Sequence, residues 1–123
     1  MVTSSAFAKY PDHNLAIRPY EGLVEVWFHG VKIASTRQAL EMSEADYALV
    51  YYIPFGDCID AYFEKTGHTT YCPFKGNASY WSLNVNSRHQ ENCVWGYEEP
   101  YDEVAGIANH VAFYPDKVDI RIL

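Results

Sequence analysis

Short apolar runs, most of them closed by a turn residue, are the feature that most restricts what this chain can become. Leu23–Phe28, Val31–Ala34, Tyr47–Ile53, Asn77–Val85, Asn92–Tyr97, Val111–Tyr114 and Val118–Ile122 are each too short for a typical helix and rich in β-branched or aromatic residues. Such runs read as strands. Val24, Val26 and Phe28 share one face of the first, and His29-Gly30 offers a tight hairpin to Val31–Ala34, with Gly30 able to take positive φ. Thr36 caps a short helical turn through Met42, or the segment is a bent strand. Phe55-Gly-Asp57 is a turn, after which Ile59, Tyr62 and Phe63 recur at helical spacing or run on as an irregular strand. Asn77–Val85 and Asn92–Tyr97 make an antiparallel pair across the polar run Asn86–Glu91. Pro100 in a first turn with Glu98, Glu99 and Glu103 starts a helix ending near Asn109, with Tyr101, Val104, Ile107 and Ala108 as its buried stripe. Val111–Tyr114 and Val118–Ile122 close the chain as a terminal hairpin around Pro115-Asp-Lys117. The expectation is a mainly-β fold, a small barrel or folded-over sheet with one short helix near residues 100–109. It comprises a single domain over 22–123 and an N-terminal extension over 1–21.

Composition narrows the function classes. With 123 residues, 49% of them hydrophobic, the chain can bury a core without a metal or disulfide. The net charge of −7, with nine basic residues scattered along the sequence, argues against nucleic acid and anionic membranes as partners. No apolar run approaches the ~20 residues of a membrane span, and Met1–Lys9 reads as a frayed start rather than a secretory signal. Cys58, Cys72 and Cys93 form no Cys-x-x-Cys pair, which removes zinc ribbons and thioredoxin-type motifs. An odd set of thiols in a chain that needs no staples points to a reducing compartment, hence a soluble cytoplasmic protein. Glycine-rich phosphate loops, the Gly-x-Ser-x-Gly elbow and His-Glu-x-x-His are all missing, so no cofactor or metal is expected.

Chemistry concentrates in Thr70-Tyr-Cys-Pro-Phe-Lys-Gly76. Pro73 holds Cys72 extended and Gly76 permits a sharp exit, giving a stiff corner that presents Cys72 and Lys75 at set positions. A lysine beside a thiol favours the reactive thiolate; alternatively Cys72 packs as a small hydrophobe and Lys75 is solvated. Tyr51, Tyr52, Tyr80, Trp81, Trp95 and Tyr97 are numerous enough to wall a small-molecule pocket or to fill a core, with Tyr80 and Trp81 pointing to opposite faces of a strand. Asp57 and Asp60 would share a helical face, and Asp57 is equally a plain N-cap. The five histidines show no ligand spacing; His110 is explained by a helix end, and His68 is either a base near Cys72 or, the preferred reading, an ordinary loop residue.

Val26-Trp-Phe-His-Gly30, Tyr51-Tyr-Ile-Pro54 with Asp57, Cys72-Pro-Phe-Lys-Gly-Asn-Ala-Ser-Tyr-Trp81, Trp95-x-Tyr97-x-x-Pro100 and Ala112-Phe-Tyr114 together resemble the family called domain of unknown function 427, in order from about residue 22 to 122. The resemblance implies a tent-like folded sheet of the Mss-four-like group, which includes methionine sulfoxide reductases and the drug-binding domain of cereblon. Those relatives hold zinc with two Cys-x-x-Cys pairs that this chain lacks. A nucleotidyltransferase label attached to the family finds no supporting residues here. Phe74 stands where the family more often has tyrosine. Asp57, Cys72, Lys75, Tyr80, Trp81 and Trp95 fall on the family's signature positions. With Tyr52 they make the candidate ligand site: an aromatic pocket at the corner, Lys75 attracting an anionic or carbonyl group and Asp57 orienting polar atoms. The alternatives are an enzyme with Cys72 as nucleophile or redox centre activated by Lys75, and a purely structural or interaction module.

Overall fold

The computed structural model describes residues 2–123. It is mainly β, with two antiparallel sheets that do not close into a barrel. The larger sheet has seven strands in the order β1-β4-β5-β9-β8-β7-β6. These are β1 Leu15–Pro19, β4 Leu40–Glu44, β5 Val50–Pro54, β6 Phe63–Cys72, β7 Gly76–Val85, β8 Arg88–Gly96 and β9 His110–Phe113. The smaller sheet has three, β10 (Asp119–Ile122), β2 (Val24–Phe28) and β3 (Val31–Thr36), with β2 in the middle.

Alternation of side chains along the strands builds two cores rather than one. Val24, Val26 and Phe28 of β2 face Ile53, Trp81, Leu83, Val85, Val94, Val111 and Phe113 of the large sheet. The intervening residues Tyr52, Tyr80 and Ala112 point to the other side, where Tyr97, Val104 and Ile107 join them and Phe7, Leu15 and Ile17 pack against the cluster. The large sheet is therefore covered on both faces, which is why its central strands read as nearly unbroken apolar runs. Residues 6–9 form a short helix, α1, and Leu15–Pro19 pairs in register with β4, so the segment expected as an extension is joined to the large sheet through Leu15↔Glu44 to Pro19↔Leu40.

Local expectations fared unevenly. The β2–β3 hairpin forms as read, with Phe28↔Val31 paired and His29 and Gly30 at φ 47° and 78°. Positive φ at both loop positions is the turn geometry whose twist suits a two-residue hairpin. Between β7 and β8 the turn takes only Asn86 and Ser87, at φ 48° and 67°, and the polar residues from Arg88 onward already belong to the strand. The segment after Thr36 is the bent strand, not the helical turn: the Thr36 hydroxyl accepts from the Gln38 amide at 2.9 Å, and β4 follows.

One reading is refined and one is overturned. The helix near 100–109 is a 3₁₀ helix, Asp102–Ile107, kinked at Val104 (φ −125°). Its buried residues Val104 and Ile107 are three apart, the period of a 3₁₀ turn, and Ala108 lies outside it. The terminal hairpin does not exist: β9 sits between β5 and β8 in the large sheet, while β10 pairs with β2 in the small one. Burial explains the separation. Val111, Ala112 and Phe113 are all buried, as a central strand requires, whereas Asp119, Arg121 and Ile122 are exposed, as at an edge. No helix among the described residues is long and apolar enough to cross a membrane.

Candidate functional site

The stiff corner is the β6–β7 hairpin. Cys72 pairs with Gly76, whose φ is 111°, and the Lys75 amide closes the turn on the Cys72 carbonyl at 3.2 Å. The turn is clamped from outside. The Ser4 hydroxyl donates to the Pro73 carbonyl at 2.6 Å, and the Tyr101 amide donates to the Lys75 carbonyl at 3.0 Å. The Phe74 ring stacks on His13 at 3.8 Å between centroids and meets Phe7 edge-on at 5.0 Å.

Lys75 is turned inward rather than solvated, at 8% exposure. Its ammonium donates to Glu44 Oε1 at 2.6 Å and lies 3.7 Å from Cys72 Sγ. The other Glu44 oxygen is 2.8 Å from His13 Nε2. A buried ammonium needs a counter-charge, and Glu44 at the end of β4 supplies it. The expectation that Lys75 attracts an anionic ligand therefore meets a cation already paired.

Tyr52, Tyr80, Trp95 and Cys72 gather on the same side of the large sheet. Burial pushes the Tyr52 phenol well above its ordinary pKa; the Trp95 indole N–H opposes this, and the nearby Glu44 and Cys72 reinforce it. Burial likewise raises Tyr97, with Tyr52 and Cys72 adding to it. The Tyr80 hydroxyl is hydrogen-bonded to that of Thr70 at 3.0 Å. Trp81 and Asp57 are not part of this group. Trp81 points into the other core beside Phe55, 5.6 Å between centroids, and Asp57 accepts from the Thr36 hydroxyl at 2.6 Å. A pocket walled jointly by Tyr80, Trp81 and Trp95 is thus ruled out by the pleat, since Tyr80 and Trp81 are neighbours in β7 and face opposite ways.

Trp81 does line a concavity of its own. A cleft of about 370 Å³ opens beside Trp81, Phe55 and Phe63, with Asp60, Lys65, Glu98 and His110 among its polar groups. The Lys65 ammonium and the Ser79 hydroxyl both donate to Glu98 Oε1 at 2.7 Å, and together they hold the Glu98 carboxyl below the usual carboxylate range. His110 Nδ1 is 2.8 Å from the Ala108 carbonyl. Because a carbonyl only accepts, Nδ1 carries the proton, and in the neutral ring Nε2 is left as an acceptor. The chain approaches itself closely here: a Cβ on Gly96 would meet the His110 carbonyl at 2.6 Å.

The cysteines differ among themselves. Burial pushes the Cys58 thiol up to about 12, with Asp57 adding to it, and the Cys93 thiol up to about 11 against backbone hydrogen bonds that lower it. All three are free; Cys58 and Cys72 are partly buried and Cys93 is buried. Among the described residues no three His, Cys, Asp or Glu side chains converge as metal ligands would.

A family model described as a domain of unknown function, DUF427, matches residues 16–122. The chain belongs to the DUF427 family. Its matched region takes in every strand but the first residue of β1 and includes both the corner and the Trp81 cleft. No curated protein matches the chain.

Glu44 and His13 were invisible as site residues because nothing in the sequence links them to Lys75, 31 residues from Glu44. Lys65, Glu98 and His110 were missed for the same reason: β6, the segment after β8, and β9 meet only in the folded sheet. Asp57 and Asp60 do not share a helical face: the backbone between them is extended at Cys58 and Ile59, so they part, one to Thr36 and the other to the cleft.

Proposed function

We propose that the chain is a small-ligand-binding domain whose ligand occupies the Trp81 cleft. The observation that carries this reading is the cleft's lining: aromatic surface from Phe55, Phe63 and Trp81 beside a few oriented polar groups, within a volume of about 370 Å³. Small-molecule sites are concave, mostly apolar and furnished with a few such groups, in volumes from ~300 Å³ upward. The ligand class follows from what lines the cleft. A flat ring lies against the aromatic surface, and its hydrogen-bond donors or positive edge meet Glu98, Asp60 and the free Nε2 of His110. The net charge of −7 favours neutral or cationic ligands over anionic ones.

A panel of one- and two-ring nitrogen heterocycles, screened by nitrogen–proton correlation NMR, tests the reading. A binder is expected to shift the Trp81 indole resonance in preference to those of Trp27 and Trp95, and His110→Ala is expected to weaken it. A panel that leaves Trp81 unmoved, or binders that His110→Ala does not affect, would overturn the proposal. An enzymatic reading is favoured by one contact, the 3.7 Å approach of Lys75 to Cys72. Rapid neutral-pH alkylation of Cys72 would support it, and slow labelling of all three thiols would remove it.

A further inference from the structure

We propose that Cys72 and Lys75 are an oxidative modification site, joined by a sulfur–oxygen–nitrogen bridge when the protein meets hydrogen peroxide. Lys75 Nζ lies 3.7 Å from Cys72 Sγ, in van der Waals contact, so a small rotation of the flexible lysine stem brings the two atoms within the reach of one bridging oxygen. The two groups are not a chance surface encounter. They belong to one turn, closed by its own hydrogen bond, fixed by Ser4 and Tyr101, and packed through Phe74 against His13 and Phe7. Lys75 is held in place beside Cys72 by Glu44 at 2.6 Å. Cys72, like Cys58, is partly exposed and so open to a small oxidant, but only Cys72 has a lysine beside it. Cys58 and Cys93 bond to backbone carbonyls instead, and burial disfavours their thiolates.

The chemistry balances with two equivalents of peroxide. The Cys72 thiolate sulfur attacks one peroxide oxygen, the O–O bond breaks, and the departing hydroxide takes the thiol proton to become water, leaving a sulfenic acid. The Lys75 ammonium then passes one proton by way of Glu44 to solvent, leaving a neutral amine and an unchanged carboxylate. The second peroxide accepts two electrons: the sulfenic O–H and one amine N–H are lost, the O–N bond forms, and two waters leave. Overall one thiol, one neutral amine and two peroxides give one bridge and three waters. The bridge removes the positive charge from Lys75, and Glu44 keeps His13 as its partner at 2.8 Å. Reversal takes two dithiols: the first breaks the S–O bond, returning the Cys72 thiol and leaving a hydroxylamine on Lys75, and the second reduces that N–O bond to the amine, releasing the oxygen as water.

Peroxide treatment of the full chain, followed by intact-mass measurement and tryptic mapping, decides it. The expected product gains one oxygen and loses two hydrogens, about 14 Da. Trypsin is expected to fail at Lys75–Gly76, and dithiothreitol to reverse both changes. Lys75→Arg keeps a charge for Glu44 but should lose the 14 Da product entirely. Cys72→Ser leaves the Glu44–Lys75 pair untouched, and so serves as the control that folds; it too should lose the product. The proposal is overturned if Cys72 gains only about 16 or 32 Da with normal cleavage at Lys75, the marks of simple sulfenic or sulfinic acid. It is equally overturned if the 14 Da product survives either substitution or maps to Cys58 or Cys93.

Discussion

Consider replacing Glu44 with glutamine. The Glu44–Lys75 pair is nearly dry, with side-chain exposures of 14% and 10%, and its 2.6 Å separation leaves no room for water between the charges. Removing one partner of a buried pair costs about 3–5 kcal/mol, because the other charge is left unsolvated. Glutamine still offers a carbonyl oxygen to Lys75, and both side chains keep some solvent, so the lower end applies: about 3 kcal/mol. For a domain of this size that is roughly a 10–15 °C fall in melting temperature. Lys75→Met removes the other charge, but Glu44 retains His13 at 2.8 Å, so about 1–2 kcal/mol is expected. In the double variant no buried charge lacks a partner, and apolar replacement of buried pairs is often close to neutral. Thermal and urea unfolding of the four proteins gives a double-mutant cycle. The expected coupling is about 2 kcal/mol or more, with the double variant more stable than Glu44→Gln alone. Strict additivity would show that the two charges do not depend on each other, and the account of Lys75 as a committed cation would fall.

Three further outcomes follow from local geometry. Gly96→Ala places a Cβ 2.6 Å from the His110 carbonyl, a backbone atom that cannot swing aside; β8 and β9 must separate, destabilising the fold by about 2 kcal/mol and displacing the His110 amide resonance. Ser87→Gly should stabilise by about 0.5–1 kcal/mol in urea melts, because Ser87 sits at φ 67° in a two-residue hairpin turn, a conformation glycine adopts without Cβ strain. Glu98→Gln should flatten the acid limb of stability. The Glu98 pKa is lowered in the fold by Lys65 and Ser79, so its contribution is present above its ordinary value of 4.5 and is lost as pH falls through the folded value. Since its side chain is half exposed, the change should be small, and a melting temperature equally steep below pH 4.5 in both proteins would contradict it.

What the sequence made legible is what depends on near neighbours. The β2–β3 hairpin follows from His29-Gly30, and the hairpin corner follows from Pro73 and Gly76, because in each case a backbone preference of one or two residues sets the turn. Even the split of the aromatics was implicit, since adjacent Tyr80 and Trp81 must face opposite sides of a strand. Strand partners were not legible at the same level. Val111–Phe113 and Asp119–Ile122 have good hairpin spacing, yet one is buried on both faces and the other is an edge, and that difference arises only when β5 and β8 close around β9. The same non-local step decided the chemistry. Lys75 looked like a ligand hook as long as its nearest known neighbour was Cys72; the strand that brings Glu44 to within 2.6 Å lies 31 residues earlier in sequence. A lysine's role in a small sheet protein is therefore set less by its motif than by which carboxylate the sheet delivers to it. Here β4 delivers one to Lys75 in the interior and the segment after β8 another to Lys65 at the rim of the cleft, so the ion pair that solvent and a ligand can still reorganise is the second.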